Sequence, residues 1–388
     1  MPAHARRYPD AAVISFYQAS DDEFFAVLVC LVDGRVHAET VSLASGSVGK
    51  IFARNLRTLG ASQFWQKSGL TEGLLYPLLE AMGDNLIPRL ECLGGNRRVI
   101  LIPHRWTHIL PMHIMLQRQG ETVAILEDVA SAVTYTPSLS CFEWSGLWGG
   151  RPVVERTKPV RKLLACVDVL GLGQGADLEV KWYNNLFSEV QGVDIIVDPG
   201  SIPEDKAFPY IVWSSHGFSD PTNWKGNRLV FGGHIFSADS IMAGWNLRGT
   251  EIAILSACET GIDFALDNFV DEYSGLDMAF HVAGASTVVS TMWRVEERVA
   301  AFTTAQLIEG LCLGRRLSEF LPVIRRLLAL GGWYDVAQRN YREFKRDKEA
   351  SARRTRQRLQ ILEALLSFPK NAFEDPAFWG VYRCFGRF

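Results

Sequence analysis

No stretch of this sequence is apolar for long enough to span a bilayer: the longest uninterrupted runs, such as FFAVLVCLV at residues 24–32, stop well short of the roughly 18 to 20 residues a spanning helix needs. The amino-terminal MPAHARRYPD lacks the hydrophobic centre of a secretory signal. Cysteine is sparse and unpatterned, its seven copies (30, 92, 141, 166, 258, 312 and 384) being odd in number and without CxxC spacing, so no disulfide framework is indicated. Neither sign of charge dominates. With 40 Lys and Arg against 43 Asp and Glu, the net charge of −3 offers no global attraction to nucleic acid or to anionic lipid. Repeats of fixed period and low-complexity tracts are also missing. Together these absences predict a cytoplasmic protein with reduced thiols, away from membranes and without direct nucleic-acid contact, whose partners must be argued from local features.

What the chain does have is material for a large core. Its 388 residues are 48% hydrophobic and 21% charged, ordinary globular usage for two domains or one large α/β unit. Residues 12–45 read strand, turn, strand, turn, strand, with Asp33-Gly34 as a hairpin signal. Helical periodicity follows over 71–91, then a strand within 96–115 punctuated by Pro103 and Pro111, then a short strand in AVTYTPSLS. GLWGGRPVVERTKP (146–159) is rich in glycine, proline and charge and reads as a linker, which divides the chain into 1–150 and 151–388.

Beyond the linker the pattern becomes regular. KLLACVDVL, VDIIVD, YIVWSS, IAILSA and STVVSTMW are apolar strand runs, RLVFGGHIF is a hairpin, and ADLEVKWYNNLFSEV, SADSIMAGWN and EYSGLDMAFHVAG are helical. Apolar strands alternating with amphipathic helices predict an α/β fold, a mostly parallel sheet flanked by helices on both faces, with an additional N-terminal β-rich unit. Residues 299–366 are mostly helical and include a basic run at 339–358, nine Arg and Lys against three Asp and Glu, which reads first as a solvated helix face.

Two stretches share one layout. PYIVWSSHG (209–217) and EIAILSACETG (251–261) each run from apolar strand through two small residues to one reactive side chain, His216 and Cys258. In a parallel sheet both side chains emerge at the carboxyl edge, where ligands of such folds bind, and the intervening residues suffice for a hairpin and a crossover helix. A cysteine attacks carbonyls as its thiolate and needs a base or a positive group beside it, a role that suits His216. The N–H groups of Gly217 and Cys258 can form an oxyanion hole, and Ser214, Ser215, Ser256 and Ala257 are small enough to leave room for an extended peptide. A lone cysteine after an apolar run is more often an inert core residue, which is how the other six are read. Spacing alone leaves the pair His216 and Cys258 evenly balanced between these meanings.

The order of WSSHG, SACETG and AFHVAGASTVVSTMWRV, with VILIPHRWTHILPMHIM and YTPSLS upstream and FEDPAFWGVYRCFGRF at the end, resembles the motif series of CHAT-domain proteins, of the caspase and separase clan of cysteine peptidases. The resemblance covers most of the chain. It implies a caspase-like fold with a pseudo-caspase-like first half, a His216–Cys258 dyad, Gly217 beside the oxyanion, and a protein substrate. It also implies control by a partner protein, in several relatives within bacterial antiviral defence. Glu259 and Thr260 match the motif and are expected to be structural. The tetratricopeptide repeats that often precede such domains are not seen, and the residue setting specificity has no single match.

Other readings stay open. The fold can serve as a catalytically silent interaction scaffold. GLGQGA (171–176) fits G-x-G-x-x-[GA] between a strand and a helix, with Asp198 placed as a ribose ligand, although Asp177 and Glu179 in the first helical turn would repel a pyrophosphate. His104, His108 and His113 are separated by prolines and lack a completing ligand, so neither a metal nor any other cofactor is called for. Five acids follow the thiol, at 259, 263, 267, 271 and 272. They oppose a thiolate unless a cation neutralises them. This makes Asp168, Asp177, Glu259 and Asp263 candidates for holding an Arg or Lys of the substrate, against the plainer reading of a solvated loop.

Overall fold

Among the described residues the apolar runs become strands and the periodic runs helices; the helix expected in ADLEVKWYNNLFSEV lies outside them but for Val180. The computed structural model describes residues 8–20, 23–43, 51, 71–94, 97–119, 122–144, 163–168, 180, 194–196, 208–219, 226–258, 260, 273, 275–346, 359, 362–363, 365–373 and 379–386. In chain order the strands are β1 (Ala11–Gln18), β2 (Phe24–Val32), β3 (Arg35–Ser42), β4 (Arg98–Ile102), β5 (Leu116–Gln119), β6 (Thr122–Ile125), β7 (Ala132–Tyr135), β8 (Leu163–Val167), β9 (Asp194–Ile196), β10 (Tyr210–Ser214), β11 (His216–Phe218), β12 (Arg228–Phe231), β13 (His234–Ser237), β14 (Ile252–Ser256), β15 (Thr287–Thr291) and β16 (Tyr382–Gly386). The helices are α1 (Tyr76–Cys92), α2 (Leu126–Val129), α3 (Leu139–Trp144), α4 (Ala238–Gly244), α5 (Leu276–Val282), α6 (Glu297–Cys312), α7 (Leu317–Ala329) and α8 (Gly332–Arg346).

One eleven-stranded sheet, flanked by helices, runs in the order β3-β2-β1-β4-β7-β16-β15-β14-β10-β8-β9. Strands β8, β10, β14 and β15 are buried along their whole length, as parallel strands covered on both faces must be. The edge strand β3 is largely exposed and polar, which discourages pairing with another chain. Asp33 and Gly34 close the β2–β3 hairpin with φ of 50° and 73°, the positive pair that a two-residue turn requires.

The last strand joins the two halves. β16 lies antiparallel to β15 and parallel to β7, so β1, β4 and β7 of the first half run opposite to the parallel strands of the second. The carboxyl ends of β4 and β7 therefore lie on the opposite edge of the sheet from those of β10 and β14. The linker expected at 146–159 lies outside the described residues; the strands before and after it in sequence, β7 and β8, are held apart in the sheet order by β16, β15, β14 and β10.

At this seam Arg383 of β16 is a fully buried cation. Its guanidinium pairs with the Asp277 carboxylate of α5 (2.8 Å), donates to the His108 carbonyl (3.0 Å) and to the Tyr273 hydroxyl, and faces the rings of Tyr135, Tyr273 and Phe385. Burial works against its charge, but Asp277 together with Tyr273 and Tyr135 more than offsets this, so its pKa lies above the usual arginine value. Asp277 in turn accepts from Ser290 Oγ (2.8 Å), the Met278 N–H (2.8 Å) and the Tyr273 hydroxyl, so both charges are fully clothed in hydrogen bonds. A second buried pair, Arg325 of α7 with Glu127 of α2, reaches the Tyr382 carbonyl from the same seam.

Candidate active site

The pairing of three parallel strands sets the site. Ser214 of β10 stands opposite Ser256 of β14 on one side and Val167 of β8 on the other. His216 and Cys258 each follow their paired serine by two residues, and Asp168 follows Val167 by one. The Asp168 N–H extends the ladder by donating to the Ser214 carbonyl (2.9 Å). Three reactive side chains from distant parts of the chain thus share one sheet edge. His216 is exposed, Cys258 half-buried and Asp168 buried.

Each member is held by its own local architecture. Trp213, fully buried against Phe231, Phe236 and Trp245, donates from Nε1 to Ser215 Oγ (2.9 Å), and Ser215 Oγ donates to the His216 carbonyl (3.3 Å). The main chain that carries the histidine is therefore anchored to the core. His216 then opens β11, which pairs with β12 and through it with β13 in a separate three-stranded sheet. The β12–β13 hairpin was legible from sequence, turning at Gly232 and Gly233; the third strand, formed by His216, Gly217 and Phe218, was not.

Gly217 brings the two turns into contact. A Cβ at that position would lie 2.0 Å from the Cys258 carbonyl oxygen and 3.3 Å from its nitrogen. The space left by the missing side chain is thus filled by the main chain of Cys258, not kept open for substrate. The small residues before the pair differ from expectation in the same sense. Ser214, Ser215, Ser256 and Ala257 are all buried, and Ser256 Oγ accepts from Thr304 of α6 (3.0 Å), so they pack the strand ends and do not line a peptide cleft.

The turn after β14 is pinned from β15 and α5. The Ala257 carbonyl accepts from the hydroxyls of Thr291 and Thr260, Thr260 Oγ accepts from the Thr291 N–H (3.1 Å), and the Thr260 carbonyl accepts from the Asp277 N–H (3.1 Å). Thr260 is fully buried and braces the turn. Thr291 and Asp277 were missed in the sequence; their only signal is polarity within otherwise apolar elements, STVVSTMW and GLDMAF.

Burial sets Cys30, Cys166 and Cys384 apart from the half-buried Cys258. It pushes the thiol of Cys30 up, that of Cys312 to about 11, and those of Cys166 and Cys384 to about 12, so these four stay protonated at neutral pH. Cys92 is exposed and Cys141 partly so. Of the acidic candidates only Asp168 can be placed. Asp177, Glu259 and Asp263 lie outside the described residues, as do the other acids after the thiol, GLGQGA and Asp198.

The three upstream histidines serve packing. His104 Nδ1 accepts the Gln18 N–H (3.1 Å), His108 stacks on Tyr273 with centroids 4.8 Å apart, and His113 Nδ1 bonds to the Tyr135 hydroxyl (2.8 Å). Burial holds the His113 pKa well below the usual histidine value. Among the described residues no group of three or more His, Cys, Asp or Glu side chains is placed to hold a metal ion, and no helix is long and apolar enough to cross a membrane.

No curated protein matches the chain in sequence. Among solved structures, a chain of the Saccharomyces cerevisiae separase–securin complex at 2.6 Å superimposes with a TM-score of 0.52 and 10% identity, covering 99% of this chain and 30% of that one. A 3.0 Å structure of the same complex gives a TM-score of 0.48 and 11% identity over 83% of this chain and 29% of that one. The present chain thus spans under a third of the neighbours' length. The fold, a large mostly parallel sheet flanked by helices, is separase-like. The family model of the CHAT domain matches residues 195–387, a stretch that includes β10, β11, β14, β15 and β16.

Proposed function

We propose that the protein is a cysteine endopeptidase acting on a protein substrate through His216 and Cys258. The observation that carries this reading is the register of β10 and β14, which sets the two residues equally far beyond paired serines, with Gly217 packed on the Cys258 main chain. In the proposed mechanism His216 accepts the thiol proton and Cys258 Sγ attacks the scissile carbonyl carbon. The N–H groups of Gly217 and Cys258 receive the oxyanion. His216 passes its proton to the leaving amine as the C–N bond breaks, leaving a thioester. Water activated by His216 then releases the acid and restores the thiol.

Asp168 is our candidate for the substrate's residue before the cut. Its carboxylate lies at the same edge of the sheet as the pair, where a cationic side chain before the cut would be complementary in charge. We further propose that a partner protein gates activity, docking on the N-terminal β unit or on the basic run at 339–358; the separase neighbour was itself solved in complex with a second protein, securin.

One digest tests all three parts. Cell lysate and purified proteins are treated with wild type, Cys258→Ala and His216→Ala, and new N-termini are mapped by mass spectrometry. The expected result is a set of cuts made by wild type and lost in both variants, with Arg or Lys enriched before the cut and more cuts in lysate than on isolated proteins. Cuts that persist in either variant contradict the dyad. Apolar or acidic residues before the cut contradict the role of Asp168, and equal cutting of isolated folded proteins contradicts gating.

A further inference from the structure

The three-stranded sheet that begins with His216 has one face on the core and one in solvent. Its register places His216 opposite Val230, Phe218 opposite Arg228, Val230 opposite Ile235 and Arg228 opposite Ser237. Directly opposed residues of antiparallel strands share a face, and side chains alternate along each strand. One face therefore carries Gly217, Leu229, Phe231 and Phe236, and it packs on Trp213. The other carries His216, Phe218, Val230 and Ile235, with Arg228 and Ser237 at its end away from His216.

Beside His216 that outer face carries three apolar side chains where a solvated one should be polar. Phe218 is 42% exposed and Ile235 65%, two of eight large hydrophobic side chains so exposed among the described residues, and Val230 is half-buried beside them. The Phe218 ring lies 6.3 Å from the His216 ring, and the Arg228 guanidinium sits 5.2 Å from its centre. β11 and β13 are the edges of this small sheet, so the face extends from the histidine across all three strands.

We propose that this face binds apolar side chains of the substrate segment that follows the scissile bond. The inference rests on the endopeptidase reading and follows from its chemistry. His216 protonates the leaving nitrogen, so that nitrogen must come within hydrogen-bond reach of the imidazole. The residues attached to it then leave across the surface on which the imidazole stands. An extended peptide advances about 3.3 Å per residue, so the first three residues after the cut span about 10 Å, enough to cross from His216 over neighbouring strands spaced about 4.8 Å apart. Side chains buried there against Phe218, Val230 and Ile235 gain the transfer free energy of apolar surface.

The test uses the cleavage map of wild type against Cys258→Ala, then two variants, Phe218→Ser and Ile235→Glu, whose exposed positions leave the fold intact by circular dichroism and thermal unfolding. Leu, Ile, Val, Met or Phe is expected to be enriched in the first three positions after the cut. Paired fluorogenic peptides taken from a mapped site, with Leu or Ser at the enriched position, then report kcat/KM. Ile235→Glu should lower the Leu-to-Ser ratio about tenfold. Cuts with no apolar enrichment after the bond, or an unchanged ratio in both variants, overturn the proposal while leaving the endopeptidase reading intact. An absence of wild-type cuts beyond the Cys258→Ala control overturns both.

Discussion

Single residues at this edge are set by contacts that leave few alternatives. Gly217 is the sharpest case, because the atoms its Cβ would meet, the carbonyl oxygen, carbon and nitrogen of Cys258, are all main chain and none can swing aside. Gly217→Ala must therefore push β11 away from the Cys258 turn. A displacement of about 1 Å in a catalytic group costs on the order of 10²-fold in rate, whereas overpacking of this kind destabilises by about 1–3 kcal/mol. The expected variant is folded, with a modestly lowered melting temperature and kcat/KM reduced about 10²-fold or more on a mapped peptide. A Gly217→Ala enzyme with wild-type kcat/KM would show that the contact is not needed for catalysis. Thr260 is fixed in a comparable way, since its hydroxyl and its carbonyl are both engaged by residues from later elements.

At the scale of elements, strands were the most legible part of the sequence. Runs such as YIVWS and IAILS are apolar throughout because both faces of a parallel strand are covered, and the Asp33-Gly34 and Gly232-Gly233 turns announce their hairpins through backbone angles that few other residues adopt. The candidate dyad was legible for the same reason, as each member sits just beyond such a run. What the sequence did not disclose depends on contacts between distant segments. Nothing in HGF marks it as a strand, because three residues carry no period and its partner β12 begins ten residues later. The buried partners Asp277 and Arg383 are 106 residues apart and read separately as ordinary charges. Likewise the small serines suggested an open cleft, and only the packing of α6 and Trp213 shows that they fill strand ends.

For the whole molecule, the seam at β16 ties the first half to the site. Arg383 connects the His108 carbonyl of the first half to Asp277, whose N–H holds the Thr260 carbonyl two residues beyond Cys258. Removing one partner of a buried ion pair leaves the other uncompensated, a cost of about 3–5 kcal/mol, whereas replacing both by apolar residues is often nearly neutral. Arg383→Met should lose about that much in urea unfolding, and Arg383→Met with Asp277→Leu should recover a large part of it. A single variant within about 1 kcal/mol of wild type would mean the pair does not hold the halves together. All of this architecture, in our account, keeps one thiol beside one imidazole. The most direct measurement of that claim is the rate of iodoacetamide labelling at each cysteine between pH 6 and 8, resolved by mass spectrometry in wild type and His216→Ala. An ordinary exposed thiol slows about tenfold per pH unit below ~8.5 because only the thiolate reacts, and the exposed Cys92 serves as the internal reference. Cys258 is predicted to keep its rate within about twofold across that range in wild type and to fall in step with Cys92 in His216→Ala; a Cys258 that tracks Cys92 in both proteins, or that never labels, would contradict the account.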